Sequence, residues 1–346
     1  MTECERQFWM VDAPLTGVAV DRGGTLAAFA GGDGTVRIVP LPPEDADPDA
    51  RSLTDGAVLS LVPDGQSGAF LAGADDGTVY CVDSCGQAHR LLQLPRAWPD
   101  QLATHPSGLR AVADGRDVRL LTAWNEPAGV LTAHASTVAG MAFDPAGTQL
   151  AVSHYDGANI WDVPGQFRTH RLHHRGSHLN LSWNPNGRFV VTTTQEKMLH
   201  AWDLLTGADI SLGPCFNKVK TLGWSADGTW LLASGNDTIS AWMFANGSLP
   251  LSAPRMLGRF SEDLIGQVCP HPQLAVTAAG YNDGGLELTA LSERSSRYQL
   301  VAPPAPPVVA MAWSPNGDHL VGGDQYGRLF AYRFDRAWLA RLTRES

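Results

Sequence analysis

The feature that most constrains this chain is a phrase that returns about every 40 residues. It consists of an apolar alternating run, a Pro/Asp/Asn-Gly turn, a second apolar run, a second turn and a third run. Four copies are plain: GMAFDPAGTQLAVSHYDGANIWDV, NLSWNPNGRFVVTTTQEKMLHAWDL, TLGWSADGTWLLASGNDTISAWMF and AMAWSPNGDHLVGGDQYGRLFAYRF. Their first-turn glycines are Gly147, Gly187, Gly228 and Gly317, at spacings of 40, 41 and 89. A fifth copy, QVCPHPQLAVTAAGYNDGGLELTAL, lies inside the long gap with a shortened turn at His271–Gln273. Three weaker copies precede them around Gly24, Gly68 and Gly108, at spacings of 44, 40 and then 39 to Gly147. Eight copies thus span essentially the whole chain.

Each apolar alternating run is short enough to be a strand with one buried face. Asp-Gly and Asn-Gly supply the positive φ that tight hairpins need. The intervals RSLTD, HRLLQL, GVLTAH, FRTHRLHH, DISLG, RMLGRF and RYQLVA each offer a fourth strand. The 36 Gly, 23 Pro and 11 Trp suit many turns and packed aromatics better than long helices. The expected fold is therefore all-β: a closed β-propeller of four-stranded antiparallel blades, eight in number, with seven as the alternative. The last copy ends near Phe334 without a fourth strand, and RQFWMVDA before the first copy is strand-like. The N-terminal strand is thus expected to complete the last blade, with Phe8, Trp9, Met10 and Val11 holding the ring shut. Residues 1–335 form one propeller domain in this reading, and 336–346 a short C-terminal helix or tail.

The repeats resemble the WD-repeat family. Trp161-Asp162 and Trp202-Asp203 are the name-giving dipeptide at the end of a third strand, and Trp242 keeps the tryptophan alone. The resemblance implies a structural network of His, Ser/Thr, Asp and Trp tying the strands of a blade together. His134, Ser153, Asp156 and Trp161 match it in the fourth copy. His174, Thr192, Glu196 and Trp202 match it in the fifth, and Ser234, Asp237 and Trp242 in the sixth, where Cys215 stands in the histidine position. A buried imidazole needs partners on both nitrogens, so such positions are expected to staple blades rather than to do chemistry.

Bulk properties narrow the partners. A net charge of −10 opposes nucleic-acid phosphate and anionic lipid on average. No apolar run is long enough for a membrane-spanning helix, and the N-terminus lacks the apolar core of a secretory signal. Five scattered cysteines read as reduced thiols of a cytoplasmic protein.

Candidate chemistry is sparse. THRLHHRGSH places His170, His173, His174 and His178 within nine residues, and alternate residues on one strand face reach a common ion. With His174 taken as a staple, His170, His173 and His178 are the candidate zinc ligands. Cys81 and Cys85 are spaced C-x-x-x-C without a second pair, which favours incidental thiols. There is no nucleophile elbow, Walker loop or dinucleotide fingerprint, so no catalytic residue and no cofactor are assigned. Trp98, Trp124 and Trp338 lie near loop ends or in the C-terminal run and are the candidate interaction surface. The segments 41–50 and 301–309 are the longest irregular stretches. The expected function is a non-catalytic scaffold that binds protein partners through a loop face, and the alternative is a zinc-binding or metal-handling accessory protein.

Overall fold

The structure is a computed structural model of the chain. It describes residues 4–43, 46–66, 68–95, 97–132, 134–163, 165, 167–244, 247–292 and 295–344. Glu44 and Asp45 of the 41–50 segment, and residues 345–346 of the expected tail, lie outside the described residues.

β1 (Cys4–Met10) comes first. The first copy gives β2 (Leu15–Val20), β3 (Leu26–Gly31), β4 (Thr35–Pro40) and β5 (Asp49–Ser52). The second gives β6 (Val58–Pro63), β7 (Phe70–Ala74), β8 (Thr78–Val82) and β9 (Ala88–Gln93). The third gives β10 (Leu102–Thr104), β11 (Arg110–Asp114), β12 (Asp117–Leu121) and β13 (Pro127–Leu131). Copies four and five give β14 (Gly140–Phe143), β15 (Gln149–Asp162), β16 (Thr169–Trp183), β17 (Phe189–Thr194), β18 (Leu199–Asp203) and β19 (Asp209–Leu212). The sixth gives β20 (Leu222–Trp224), β21 (Trp230–Ala233), β22 (Ile239–Met243) and β23 (Arg255–Leu257). The seventh gives β24 (Ile265–Pro270), β25 (Val276–Tyr281), β26 (Leu286–Ala290) and β27 (Arg297–Val301). The eighth gives β28 (Val308–Trp313), β29 (His319–Asp324) and β30 (Arg328–Phe334), followed by the helix α1 (Arg336–Arg344).

Among the described residues all pairings are antiparallel, in six four-stranded sheets and one six-stranded sheet. Counted as hydrogen-bonded sheets the ring has seven members, not the expected eight. The cause lies in copies four and five, which share the six-stranded sheet. β15 runs through the second turn of copy four, bent at Asp156 (φ 68°) and Gly157 (φ 123°), and β16 runs through the link into copy five, bent at Gly176 (φ 131°). Tyr155 pairs with Ser177 across these bends, and after a register shift Gly157 pairs with His173, which joins the two copies in one sheet.

β1 pairs with β30 from Cys4 opposite Phe334 to Met10 opposite Arg328, so both ends of the chain share one sheet. Trp9 is buried there against Phe29 of the first copy, while Phe8 and Met10 face outward. Among the described residues, no strand ladder joins one sheet to the next. The innermost strands β2, β6, β10, β14, β16, β20, β24 and β28 instead lie against one another in turn, and β28 lies against β2.

Side chains supply the cross-links that ladders do not. Thr16 Oγ1 donates to the Val58 carbonyl at 2.7 Å, Gln267 Nε2 to that of Val309 at 2.7 Å, and Trp313 Nε1 to that of Cys269 at 3.0 Å. The apolar clusters fill the gaps between neighbouring sheets: one combines Leu15, Val20 and Phe29 with Val321, Leu329 and Ala331 and so joins the last copy to the first. Burial of that apolar surface, at roughly 25 cal/mol per Å², is the main term holding the ring together.

Most of the first turns share one device. In the first, fourth, fifth, sixth and eighth copies the residue just before the turn is a short acceptor that ties down the turn's amides, and in the third His105 accepts the Ser107 amide. Asp21 accepts from the amides of Gly23, Thr25 and Leu26, and Asp144 from those of Thr148 and Gln149. In the shortened seventh turn an imidazole takes the role: His271 Nδ1 accepts from the amides of Gln273 and Leu274.

Candidate functional site

Antiparallel order fixes two faces. The first and third links of each copy lie on one face. The second turn, and the link to the next copy, lie on the other, which is called the loop face below. The stapling groups sit just beneath that face.

In the fourth copy His134 Nδ1 donates to the Arg116 carbonyl at 2.8 Å, and Trp161 Nε1 donates to His134 Nε2 at 3.0 Å. Burial holds the His134 imidazole below its ordinary pKa, which keeps it neutral and able to accept. Ser153 is not bonded to this pair. Its hydroxyl turns to the carbonyls of Gly140 and Leu179, joining copy four to copy five. Asp156 is half-buried at the bend of β15, outside the pair.

In the fifth copy it is His178, not His174, that meets Thr192, at 2.7 Å from Nδ1 to Oγ1. His178 Nε2 donates to the His174 carbonyl at 3.1 Å. His174 stacks on His200 with ring centroids 3.7 Å apart, and His200 packs edge-on against Trp202. His200 is bonded to Ser211 and, at 2.9 Å, to Asp209. Burial first, and the neighbouring imidazoles second, push His178 and His200 down to about 4. Glu196 accepts the Ser177 amide at 3.5 Å at the protein surface. The sequence reading missed His200, whose signal was its place two residues before Trp202 on one strand face.

In the sixth copy Ser234 Oγ accepts from the amides of Lys220 and Thr221, fixing the link into β20. Trp242 is buried in the core that also holds Cys215, and burial raises that thiol to about 11. Asp237 only receives the Thr238 hydroxyl, at 3.4 Å.

The three candidate zinc ligands are not brought together. His170 and His173 are exposed on β16 and line a groove of about 260 Å³ with Asp203 and Asp209, whereas His178 is buried and committed to Thr192. Among the described residues no group of three or more His, Cys, Asp or Glu is placed to hold a metal ion. Cys81 and Cys85 are free thiols, as are the other three cysteines.

The aromatic candidates separate. Trp98 is 71% exposed on the loop face, beside a cleft of about 290 Å³ that includes Asp100 and Val138. Trp124 is 82% exposed on the opposite face, in the turn between β12 and β13. Trp338 is not free: on α1 it stacks on Phe334 and meets Tyr298 edge-on at 4.6 Å. Four further aromatics are exposed on the loop face: Tyr155, Phe216, Phe260 and Tyr326. Phe216 and Phe260 sit in links outside the repeating phrase, and Tyr155 and Tyr326 in its second turn, where alternation carries no signal of exposure. Among the described residues no helix is long and apolar enough to cross a membrane.

Comparison with known proteins agrees with this geometry. Residues 125–162, which contain the His134–Trp161 pair, match the family model "WD domain, G-beta repeat". Transducin beta-like protein 3 of Bos taurus is 32% identical over 178 residues, which is 46% of this chain and 21% of that protein. The WD repeat-containing protein slp1 of Schizosaccharomyces pombe is 26% identical over 38% of this chain and 28% of its own length. Coronin-7 of Homo sapiens is 28% identical over 54% of this chain and 24% of its own. The aligned stretches thus span 21% to 28% of the length of these curated relatives. The crystal structure of the computationally designed Ika8 protein superposes with a TM-score of 0.74, covering 94% of this chain and 98% of that one at 16% identity. That likeness speaks for the fold alone. Its repeats, its sheets and these matches together support a β-propeller of the WD-repeat kind, to whose members this chain is similar.

Proposed function

We propose that this protein is a non-catalytic, cytoplasmic scaffold that binds protein partners through its loop face. Propellers of this family generally serve as interaction platforms, with partner choice residing in loops. The observation that carries the reading is a division of labour. The buried histidines of the fourth and fifth copies are bonded within the fold, while Trp98, Tyr155, Phe216, Phe260 and Tyr326 stand exposed around one face. Large aromatics are the usual anchors of protein interfaces. The free state of all five cysteines supports a reducing compartment, and the net charge of −10 disfavours nucleic acid and anionic membrane. The zinc alternative has no support in the placement of His170, His173 and His178.

The test uses the immobilised full chain as bait in extract of its source cells. Proteins retained by the wild type and lost with the W98A/F216A/F260A variant support the reading. Retention unchanged in that variant, or no protein retained above background, counts against it.

A further inference from the structure

The chain contains only three lysines, Lys197, Lys218 and Lys220, and all three lie on the loop face within 24 residues of sequence. Lys197 is in the second turn of copy five, and Lys218 and Lys220 are in the link from β19 to β20. The two segments are laced together. Lys197 Nζ donates to the Phe216 carbonyl at 3.2 Å, and the Cys215 amide donates to the Lys197 carbonyl at 2.9 Å. On the far side the Phe216 amide donates to Asn236 Oδ1 at 2.7 Å, and Ser234 pins the Lys220 and Thr221 amides. Arg175 is exposed at the neighbouring bend of β16.

Two facts set this patch apart. Among the described residues, none of the three lysines has a carboxylate partner. By contrast, Arg37, Arg110, Arg119, Arg188, Arg259 and Arg328 are each paired with an Asp inside the fold. Lys197 is bonded to the Phe216 carbonyl, and Lys218 and Lys220 follow that residue by two and four positions, so all the lysines of a chain of net charge −10 lie beside one exposed side chain, Phe216, which is 66% accessible. The link carrying them is held by hydrogen bonds to Asn236 and Ser234, so the cations and the ring are presented without a large ordering cost.

We propose that Lys197, Lys218 and Lys220, with Arg175 and Phe216, form the docking site for a short acidic peptide segment of a partner protein, one that carries an apolar side chain among its carboxylates. The proposal rests on the scaffold reading and names the partner's chemistry. The cations supply charge complementarity and Phe216 the apolar contact. The overall charge of −10 opposes a long polyanion running past the patch, so nucleic acid is the poorer fit and a short acidic segment the better one.

The experiment measures fluorescence anisotropy of a fluorescein-labelled decapeptide of Glu and Asp with one central Phe, titrated with the full chain. Saturable binding is expected, weakening about tenfold between roughly 50 and 300 mM NaCl as the charges are screened. The K197E/K218E/K220E variant, with its fold checked by circular dichroism and thermal melting, is expected to bind at least about tenfold more weakly, and K197R/K218R/K220R within about threefold of wild type. Absence of saturable binding, or an unchanged affinity in the Glu variant, overturns the proposal. Tighter lysine-dependent binding of a single-stranded RNA 20-mer than of the peptide overturns it too. The bait column separates this proposal from the scaffold reading: a Glu variant that still retains the wild-type set of proteins removes the lysine site and leaves the scaffold standing.

Discussion

The Trp161 indole N–H donates to His134 Nε2 across 3.0 Å, and the other nitrogen of that ring is spent on the Arg116 carbonyl. The imidazole thus has both valences filled inside the fold and none left for a substrate. W161F removes the donor while keeping most of the ring volume, and leaves a buried acceptor unpaired. The expected cost is about 1–3 kcal/mol, read as a lower denaturation midpoint with an unchanged slope.

A second staple joins copies two and three. Arg110 grips Asp64 through Nε at 2.9 Å and Nη2 at 2.6 Å, with both side chains almost fully buried. R110A strands the carboxylate and is expected to cost about 3–5 kcal/mol. Replacing both residues with apolar ones, as in D64L/R110M, is expected to recover most of that loss. Chemical denaturation of the two variants checks the difference.

Acid stability follows from the buried histidines. His134, His178, His200, His271 and His319 are all held below the ordinary imidazole value, chiefly by burial, with His178 and His200 at about 4. The folded state therefore resists protons that the unfolded chain accepts near pH 6.5. Their stabilising effect is complete above that pH and is lost as pH falls from about 6.5 towards 4, by up to roughly 3 kcal/mol for each of the two deepest rings. Denaturation midpoints at about pH 7.5, 5.5 and 4.5 are expected to fall in that order, and the slope to flatten in H178Q/H200Q.

The thiols are expected to react in a fixed order. Burial raises Cys81 and Cys215 to about 11 and Cys269 to about 12, whereas Cys85 is exposed in the turn after β8. The thiolate is the reactive form. Timed iodoacetamide labelling of the native protein at about pH 8, followed by mass spectrometry, is expected to modify Cys85 before those three.

The N-terminal strand is expected to carry a large share of stability. Trp9 on β1 is buried against Phe29, and its Nε1 donates to the Ala46 carbonyl at 2.8 Å. W9A is expected to cost about 3–5 kcal/mol, and deletion of residues 1–10 more, both read by thermal melting.

Much of this was legible in the sequence because turns and alternation are local. The glycines at 147, 187, 228 and 317 adopt φ between 68° and 77°, as their turns require. The seven intervals read as fourth strands all carry one. What was not legible depends on tertiary register. The bends at Asp156, Gly157 and Gly176, which let copies four and five share one sheet, are set by pairing between distant residues such as Tyr155 and Ser177. The same uncertainty exchanged His174 for His178 as the partner of Thr192, since both precede it by a plausible interval on one long strand. Trp338 read as exposed because its packing partners, Tyr298 and Phe334, come from different copies. The lysine patch was hidden because assigning it to a face requires knowing which links lie together.

The central claim is that partners are chosen on the loop face, and a paired comparison tests it most directly. Bait chains carrying W98A/F216A/F260A on that face and W124A/L205A on the opposite one change exposed side chains only. Quantitative mass spectrometry of the retained proteins is predicted to show them lost from the first chain and kept by the second. The reverse pattern, or equal retention by both, contradicts the account.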